Sequence, residues 1–487
     1  MANTDRGRNL EAFIAGQNSF LDPSGQGADY PHTNDSVRVL TASAEGGSPV
    51  ELREDKTGSN SAIPGMPQRM TASASVELYL GTTGGATNGP GVIQNILQGA
   101  GFEFIDTKTV ATTVSGGSST ATKVDCTDSA GLVVGGGIRV ENKNYLGEKL
   151  EYEVRRIQSI DASGSPHLVQ VRPALSFVPA NTALVKGCVT AHPADSRDEN
   201  QNSLSVWVQN DNSFDRALGW VPDTVSISLG GDTAPRVTIS GTARSHLRGF
   251  ATQLSAAISS TADPYEATIQ NNRAVGSSSE LGVGTHWAID NEIVSIMAID
   301  TSDPAATKWW LNRAELGSSV ATHLINAPVT PYSYGVNFTG GGGEPAPPTS
   351  GAVFIAGNYN APNIGTLQIG ATTFDVGAAV GYQEDHHGDA FKVGGYVQTA
   401  REVKATMSGW TNLQTLNEGN ILDTFNNQIS FCIQQGDGLG GIVGVIVPQY
   451  LVEVPALDRG ADEVTFEFSG RCVASTSDFT EMMIFWG

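Results

Sequence analysis

Glu384, Asp385, His386, His387 and Asp389 form the densest group of potential metal ligands in the chain. Carboxylate and imidazole are suitable donors for a divalent ion. Adjacent histidines on an extended segment point to opposite sides, however, and no distant third histidine completes a set. A solvated or interface loop is therefore expected there. Glu292 stands in an apolar strand pattern, where a catalytic acid is one reading and an outward-facing strand residue the expected one. Gly436, Gly438 and Gly441 match a dinucleotide-binding spacing behind a strand, but the residues that follow, 442–447, are strand-like. A pyrophosphate needs a helix N-terminus at that point, so a glycine hairpin is expected. No Walker loop, nucleophile elbow or paired-histidine zinc helix occurs, and neither enzyme activity nor a cofactor or metal is expected. Cys126, Cys188, Cys432 and Cys472 never form a C-x-x-C pair and read as reduced, packed thiols.

The elements that would position any site are mostly strands. The chain of 487 residues holds 57 glycines, an excess that implies many turns. Its formal net charge of −22 argues against a protein that grips a phosphate backbone. No run approaches the ~18 apolar residues of a membrane span. Residues 1–16 carry Asp5, Arg6, Arg8 and Glu11 without an apolar core, so no secretory signal is expected there.

The order of elements occurs twice, on either side of the Gly/Pro-rich segment 339–351. The first copy reads as strands 36–40, 50–52 and 71–80, a helix over 90–100, then strands 204–209, 225–229 and 237–243. The second reads as strands 366–369 and 373–376, a polar loop 383–392 and a strand 401–408. A helix faced by Leu416, Ile421, Leu422 and Phe425 follows, then strands 429–434, 450–454 and 464–468. Pro222 and Pro448 share a strand entry, and the Ser-Gly pairs at Gly241 and Gly470 share an exit. Two further segments, 102–192 and about 270–335, read as small β units of related design.

The strand before each helix alternates strictly. Thr71, Ser73, Ser75 and Glu77 oppose Ala72, Ala74, Val76 and Leu78, while Glu402, Lys404, Thr406 and Ser408 oppose Val403, Ala405 and Met407. One face is wet, as in any sandwich with a solvent side or in a sheet lining an aqueous bore.

The segment from about 393 to 487, with its strand around Val403, its short helix, the strand 429–434, the run 448–455 and the apolar end 481–486, resembles bacteriophage tail tube proteins, and the first copy looks similar. The resemblance implies a mainly β fold: two tandem tube-type β-sandwich domains, each with a flanking short helix, plus two small inserted β-barrel-like decoration domains. The expected boundaries are 1–101 and 193–250 for the first tube domain, 102–192 and 251–338 for the inserted domains, 339–351 for the linker and 352–487 for the second tube domain. In that family six domains join around an axis and stack into a tube. Two domains per chain imply trimeric rings, which closed rotational symmetry allows.

The implied function is structural: a conduit for the viral genome in a long, non-contractile tail. It brings as partners further copies of the chain, a tape measure protein, a terminator, a tail tip and transiently passing double-stranded DNA, with no membrane span. The implied location is the virion, after assembly in the host cytoplasm. The resemblance also assigns contacts between rings to Arg53, Glu54, Asp55 and Lys56 and to Glu384, Asp385, His386, His387 and Asp389, and it makes the wet-face residues candidates for the lumen. The alternative is a low-copy tail-tip, baseplate or adhesin protein, with Trp309 and Trp310 stacking on sugars.

Overall fold

The computed structural model describes residues 11–16, 36–51, 66–82, 90–91, 93–143, 150–194, 203–210, 212–230, 233–270, 283–300, 307–332, 344–345, 351–356, 365–367, 369–377, 380–385, 387, 391–410, 429–436, 441–453, 456–458, 465–474 and 480–487. The fold is mainly β, with one α-helix, Ile93–Gly99, among these residues. That helix is shorter than the predicted span but buries the expected face, Ile93, Ile96 and Leu97. The predicted second helix falls in 411–428, outside the described residues.

The principal sheet runs through both halves of the chain. Its strands are β1 (Thr41–Gly47), β2 (Thr71–Tyr79), β3 (Ser213–Gly230), β4 (Arg236–Ala243), β5 (Ile369–Gly377), β6 (Glu402–Trp410), β7 (Val443–Val452) and β8 (Thr465–Val473). They pair antiparallel in the order β1–β2–β4–β3–β5–β6–β8–β7. The order β1–β2–β4–β3 is repeated as β5–β6–β8–β7, so the two halves share one ladder pattern. The Ser-Gly match marks equivalent positions: Gly241 pairs with Ala74, and Gly470 with Ala405. A Cβ on Gly241 would lie 2.2 Å from the Val221 carbonyl oxygen, and one on Gly470 2.2 Å from that of Leu451, so neither site admits a side chain. The proline match does not hold in the ladder. Pro222 pairs with Gly241, whereas Val452 pairs with Gly470. Pro448 lies instead at the bulge where β7 leaves its pairing with Ile429–Gln435. A proline lacks an N–H and fits either irregularity, which is why the two look alike in sequence.

β3 and β7 are long because each serves two sheets. The N-terminal part of β3 pairs with Leu204–Asn210 and Ser245–Phe250, and Leu204–Asn210 pairs with Glu11–Gly16. The N-terminal part of β7 likewise pairs with Ile429–Gln435 and Met483–Trp486, and Ile429–Gln435 pairs with Gly351–Ala356. This second layer closes over the apolar face of the principal sheet. The core between them, which includes Val76, Ile227, Ile239, Phe374, Val403, Phe431 and Trp486, is continuous across both halves.

The two inserted units have identical topology. Strands Ala111–Thr113, Lys123–Cys126, Gly137–Glu141, Tyr152–Asp161, His167–Arg172 and Leu184–Gly187 are ordered second, fifth, fourth, third, sixth, first across their sheet. Thr252–Gln253, Tyr265–Ile269, His286–Ile289, Glu292–Asp300, Thr307–Asn312 and Pro328–Pro331 follow the same order. In each, a bridge brings the first and second strands together, Val114 to Cys126 and Leu254 to Ile269, curling the sheet toward a barrel. Phe102–Asp106 and Val189–Pro193, which flank the first unit, pair with each other, and the latter joins Met483–Trp486 in the second layer. Neither unit is a free appendage. The second shares an apolar cluster with Phe13, Trp207 and Phe214 of the second layer, and the first packs Tyr152, Val154 and Cys188 against Phe354, Ile446 and Phe485.

Candidate assembly surfaces

The polar face of the principal sheet is built by the strand period. Val76 and Val403 lie in the core, at 0% and 2% exposure. Thr71, Ser73, Glu402, Lys404 and Ser408 are exposed on the opposite face, with Ser75, Glu77 and Thr406 half-buried beside them. The other strands continue this surface with Thr224, Thr238, Asp375, Glu467 and Arg471. Its charges are partly paired: Arg236 Nη1 lies 3.3 Å from Glu77 Oε1, Arg471 Nε 3.0 Å from Glu402 Oε1, and Lys404 Nζ 3.2 Å from Glu402 Oε2. Such exposed pairs contribute at most about 1 kcal/mol each. The result is a hydroxyl-rich surface with carboxylates in modest excess.

The seam between the halves is a full strand pairing. Seven successive residues of β3, Thr224 to Gly230, face Gly377 to Ala371 of β5. Ser226 Oγ donates to Asp375 Oδ1 across it at 2.6 Å. At the two ends of the sheet, among the described residues, β1 pairs only with β2. Likewise among those residues, Leu451 and Val452 at the end of β7 and the continuation Ala456–Asp458 pair only with β8. Among the described residues, each of these edges presents backbone donors and acceptors without a strand partner.

The polar loop of the second half is a hairpin that reaches the first half. Val380–Glu384 pairs with Val393–Gln398, and Val380, Tyr382, Val393 and Tyr396 cluster around Val221 of β3. The Tyr382 hydroxyl accepts from Thr242 N at 3.2 Å, with the Val221 carbonyl and Asp223 Oδ2 each 3.0 Å away as acceptors. Burial, and then the Asp223 charge, push this phenol above its ordinary pKa and keep it a donor. Further out, Lys392 N donates to the Met70 carbonyl and Arg69 pairs with Asp385 at 3.3 Å. A cleft of about 670 Å3 opens here, lined by Glu45, Thr71, Arg248, Glu384 and Lys392 among others.

Of the loop residues singled out in the sequence, Glu384, Asp385 and His387 are exposed, and Glu384 pairs with Lys392 at 3.3 Å. Arg53, Glu54, Asp55, Lys56, His386 and Asp389 lie outside the described residues. Sequence reasoning missed Tyr382 and the β3–β5 seam. The alternation of Val380 and Tyr382 is the available signal for a strand that enters the polar loop 383–392.

Glu292 is neither outward-facing nor poised as an acid. It is 1% exposed and takes both Arg313 Nε and Nη2 at 2.6 Å, His323 Nε2 at 2.8 Å and Ala321 N at 2.9 Å. Burial pushes its carboxyl up, but these hydrogen bonds outweigh it and hold the pKa at about 2. The glycine run at Gly436 joins two antiparallel strands, Ile429–Gln435 and β7, as a hairpin would. All four cysteines are free and buried, and burial pushes Cys126, Cys188 and Cys432 to about 12. Trp309 is buried and Trp310 is 42% exposed, so the two indoles do not form one stacking platform. No helix among the described residues is long and apolar enough to cross a membrane. No protein-family model and no curated protein sequence matches the chain.

Proposed function

We propose that this chain is the structural subunit of a phage-type tail tube, assembling into trimeric, pseudo-hexameric rings that stack around a channel for the genome. The observation that carries the reading is the β3–β5 seam: two halves of like ladder order joined edge to edge, with the equivalent outer edges, β1 and β7, left open. Repeating that seam between chains brings β7 of one against β1 of the next. A repeated heterologous contact closes into a ring when its rotation permits, and three chains give six like units.

The polar face then becomes the wall of the bore. Hydroxyls and excess carboxylates such as Asp375 and Glu467 do not retain phosphate, so double-stranded DNA passes without sticking. The inserted barrels, packed on the second layer away from the polar face, decorate the outside. Ring-to-ring contacts are assigned to Arg53, Glu54, Asp55 and Lys56 in the first half and to Glu384, Asp385, His386, His387 and Asp389 in the second. The role is structural rather than enzymatic, and its partners are the tape measure, terminator and tip proteins of a virion tail. Negative-stain microscopy of the purified chain tests this: rings or tubes with a central hole are expected, and a monomer at every concentration overturns it.

A further inference from the structure

The internal seam supplies a template for a surface that is bare in the single chain. Val221 pairs with Thr242 next to Gly241, and Leu451 pairs with Arg471 next to Gly470, so Leu451 occupies in the second half the position of Val221 in the first. Their exposures differ sharply: Val221 is 0% exposed beneath the Tyr382 hairpin, and Leu451 is 43% exposed. The neighbours correspond as well. Glu453, exposed, stands where Asp223 receives the Tyr382 hydroxyl, and Arg471, exposed, stands where Thr242 donates to it. Two halves with the same ladder thus carry one contact surface, covered in the first and uncovered in the second.

The first half also carries a matching strand pair. Gly47 pairs with Thr71 and Gly377 with Glu402; beyond them Val50 pairs with Pro67 and Val380 with Gln398, in the same step along the ladder. The strand pair Val50–Glu51 and Met66–Pro67 therefore leaves β1 and β2 as the Tyr382 hairpin leaves β5 and β6. It cannot serve Leu451 of its own chain. β1 and β7 are the two ends of the sheet, and seven strand steps of about 4.8 Å separate them by roughly 34 Å.

We propose that the Leu451 surface is the docking site for a second copy of this chain, presented through its β1 edge and the adjoining strand pair Val50–Glu51 and Met66–Pro67. The inference rests on the ring reading and fixes which face of each copy meets the next. An apolar side chain ringed by one acid and one base gives such a contact both an anchor and a register.

The experiment compares wild-type chain with Leu451→Glu, using Leu324→Glu, at a site 79% exposed elsewhere, as control. Leu451 is exposed in the single chain, so its variant should melt at the wild-type temperature. Ring formation, followed by light scattering and negative stain, should require at least tenfold more Leu451→Glu chain, with the control unchanged. The variant keeps its own β1 edge and adjoining strand pair, so mixing it into wild type should shorten or cap assemblies, which a misfolded chain would not do. Rings from Leu451→Glu at the wild-type concentration overturn this inference and leave the tube reading standing. Absence of rings from wild type overturns both.

Discussion

Glu292 shows how one residue's role turns on its neighbours. A carboxylate inside an apolar barrel is costly unless it is paired, and here Arg313, His323 and the Ala321 amide all donate to it. Removing its charge with Glu292→Gln leaves the Arg313 guanidinium buried without its counter-ion, and should destabilise the second inserted unit by about 3–5 kcal/mol. The pH dependence follows from the depressed pKa. The stabilisation is complete above the ordinary value of 4.5 and is lost as pH falls from there through about 2. Unfolding of this unit, followed by the fluorescence of Trp287 and Trp309 in its core, should therefore soften below pH 4.5 in wild type and lose that acid component in Glu292→Gln.

At the scale of the element, register decides everything about the principal sheet, because a slip of one residue exchanges its wet and dry faces. The internal seam places Ser226 opposite Asp375. In the proposed ring, the ladder equivalences carry this pair to Ala456 of one chain and Glu45 of the next. Directly opposed residues have Cα atoms about 4.5–5.5 Å apart, within the roughly 4.4–6.8 Å that a disulfide spans. The chain carrying Glu45→Cys and Ala456→Cys should oxidise to linked dimers and trimers on a non-reducing gel, while Ala44→Cys with Ala456→Cys should not. The native thiols are buried and raised in pKa, so they should not compete. Equal cross-linking by both pairs would contradict the proposed junction.

On the scale of the whole molecule, the inserted barrels are structural partners of the second layer as well as ornaments. Phe13, Trp207 and Phe214 of that layer are buried in the cluster the second unit provides. Replacing residues 254–330 with a short Gly/Ser bridge would uncover them, and a fully exposed aromatic of this size forfeits about 2–3 kcal/mol of burial. The deleted chain should aggregate or melt lower, and Trp207→Ser with Phe214→Ser should restore part of its solubility. A deletion variant as soluble and stable as wild type would show that the second layer does not depend on the barrel.

The strand period in 71–80 and 401–408 determined which residues of β2 and β6 face the core, since alternation with a spacing of two leaves no other way to bury Val76 and Val403. The repeated order of elements was legible for the same reason: the Ser-Gly pairs at Gly241 and Gly470 mark sites where a backbone passes too close for a Cβ. Local pattern could not say which strand edges meet. The pairing of β3 with β5 joins residues about 150 positions apart, and backbone hydrogen bonds that form it carry no signature in residue type. Nor could it place Glu292, whose partners Arg313 and His323 arrive from later strands and loops. The covered Val221 and the bare Leu451 likewise look alike in sequence. Only the fold, by bringing a hairpin over one and not the other, distinguishes them.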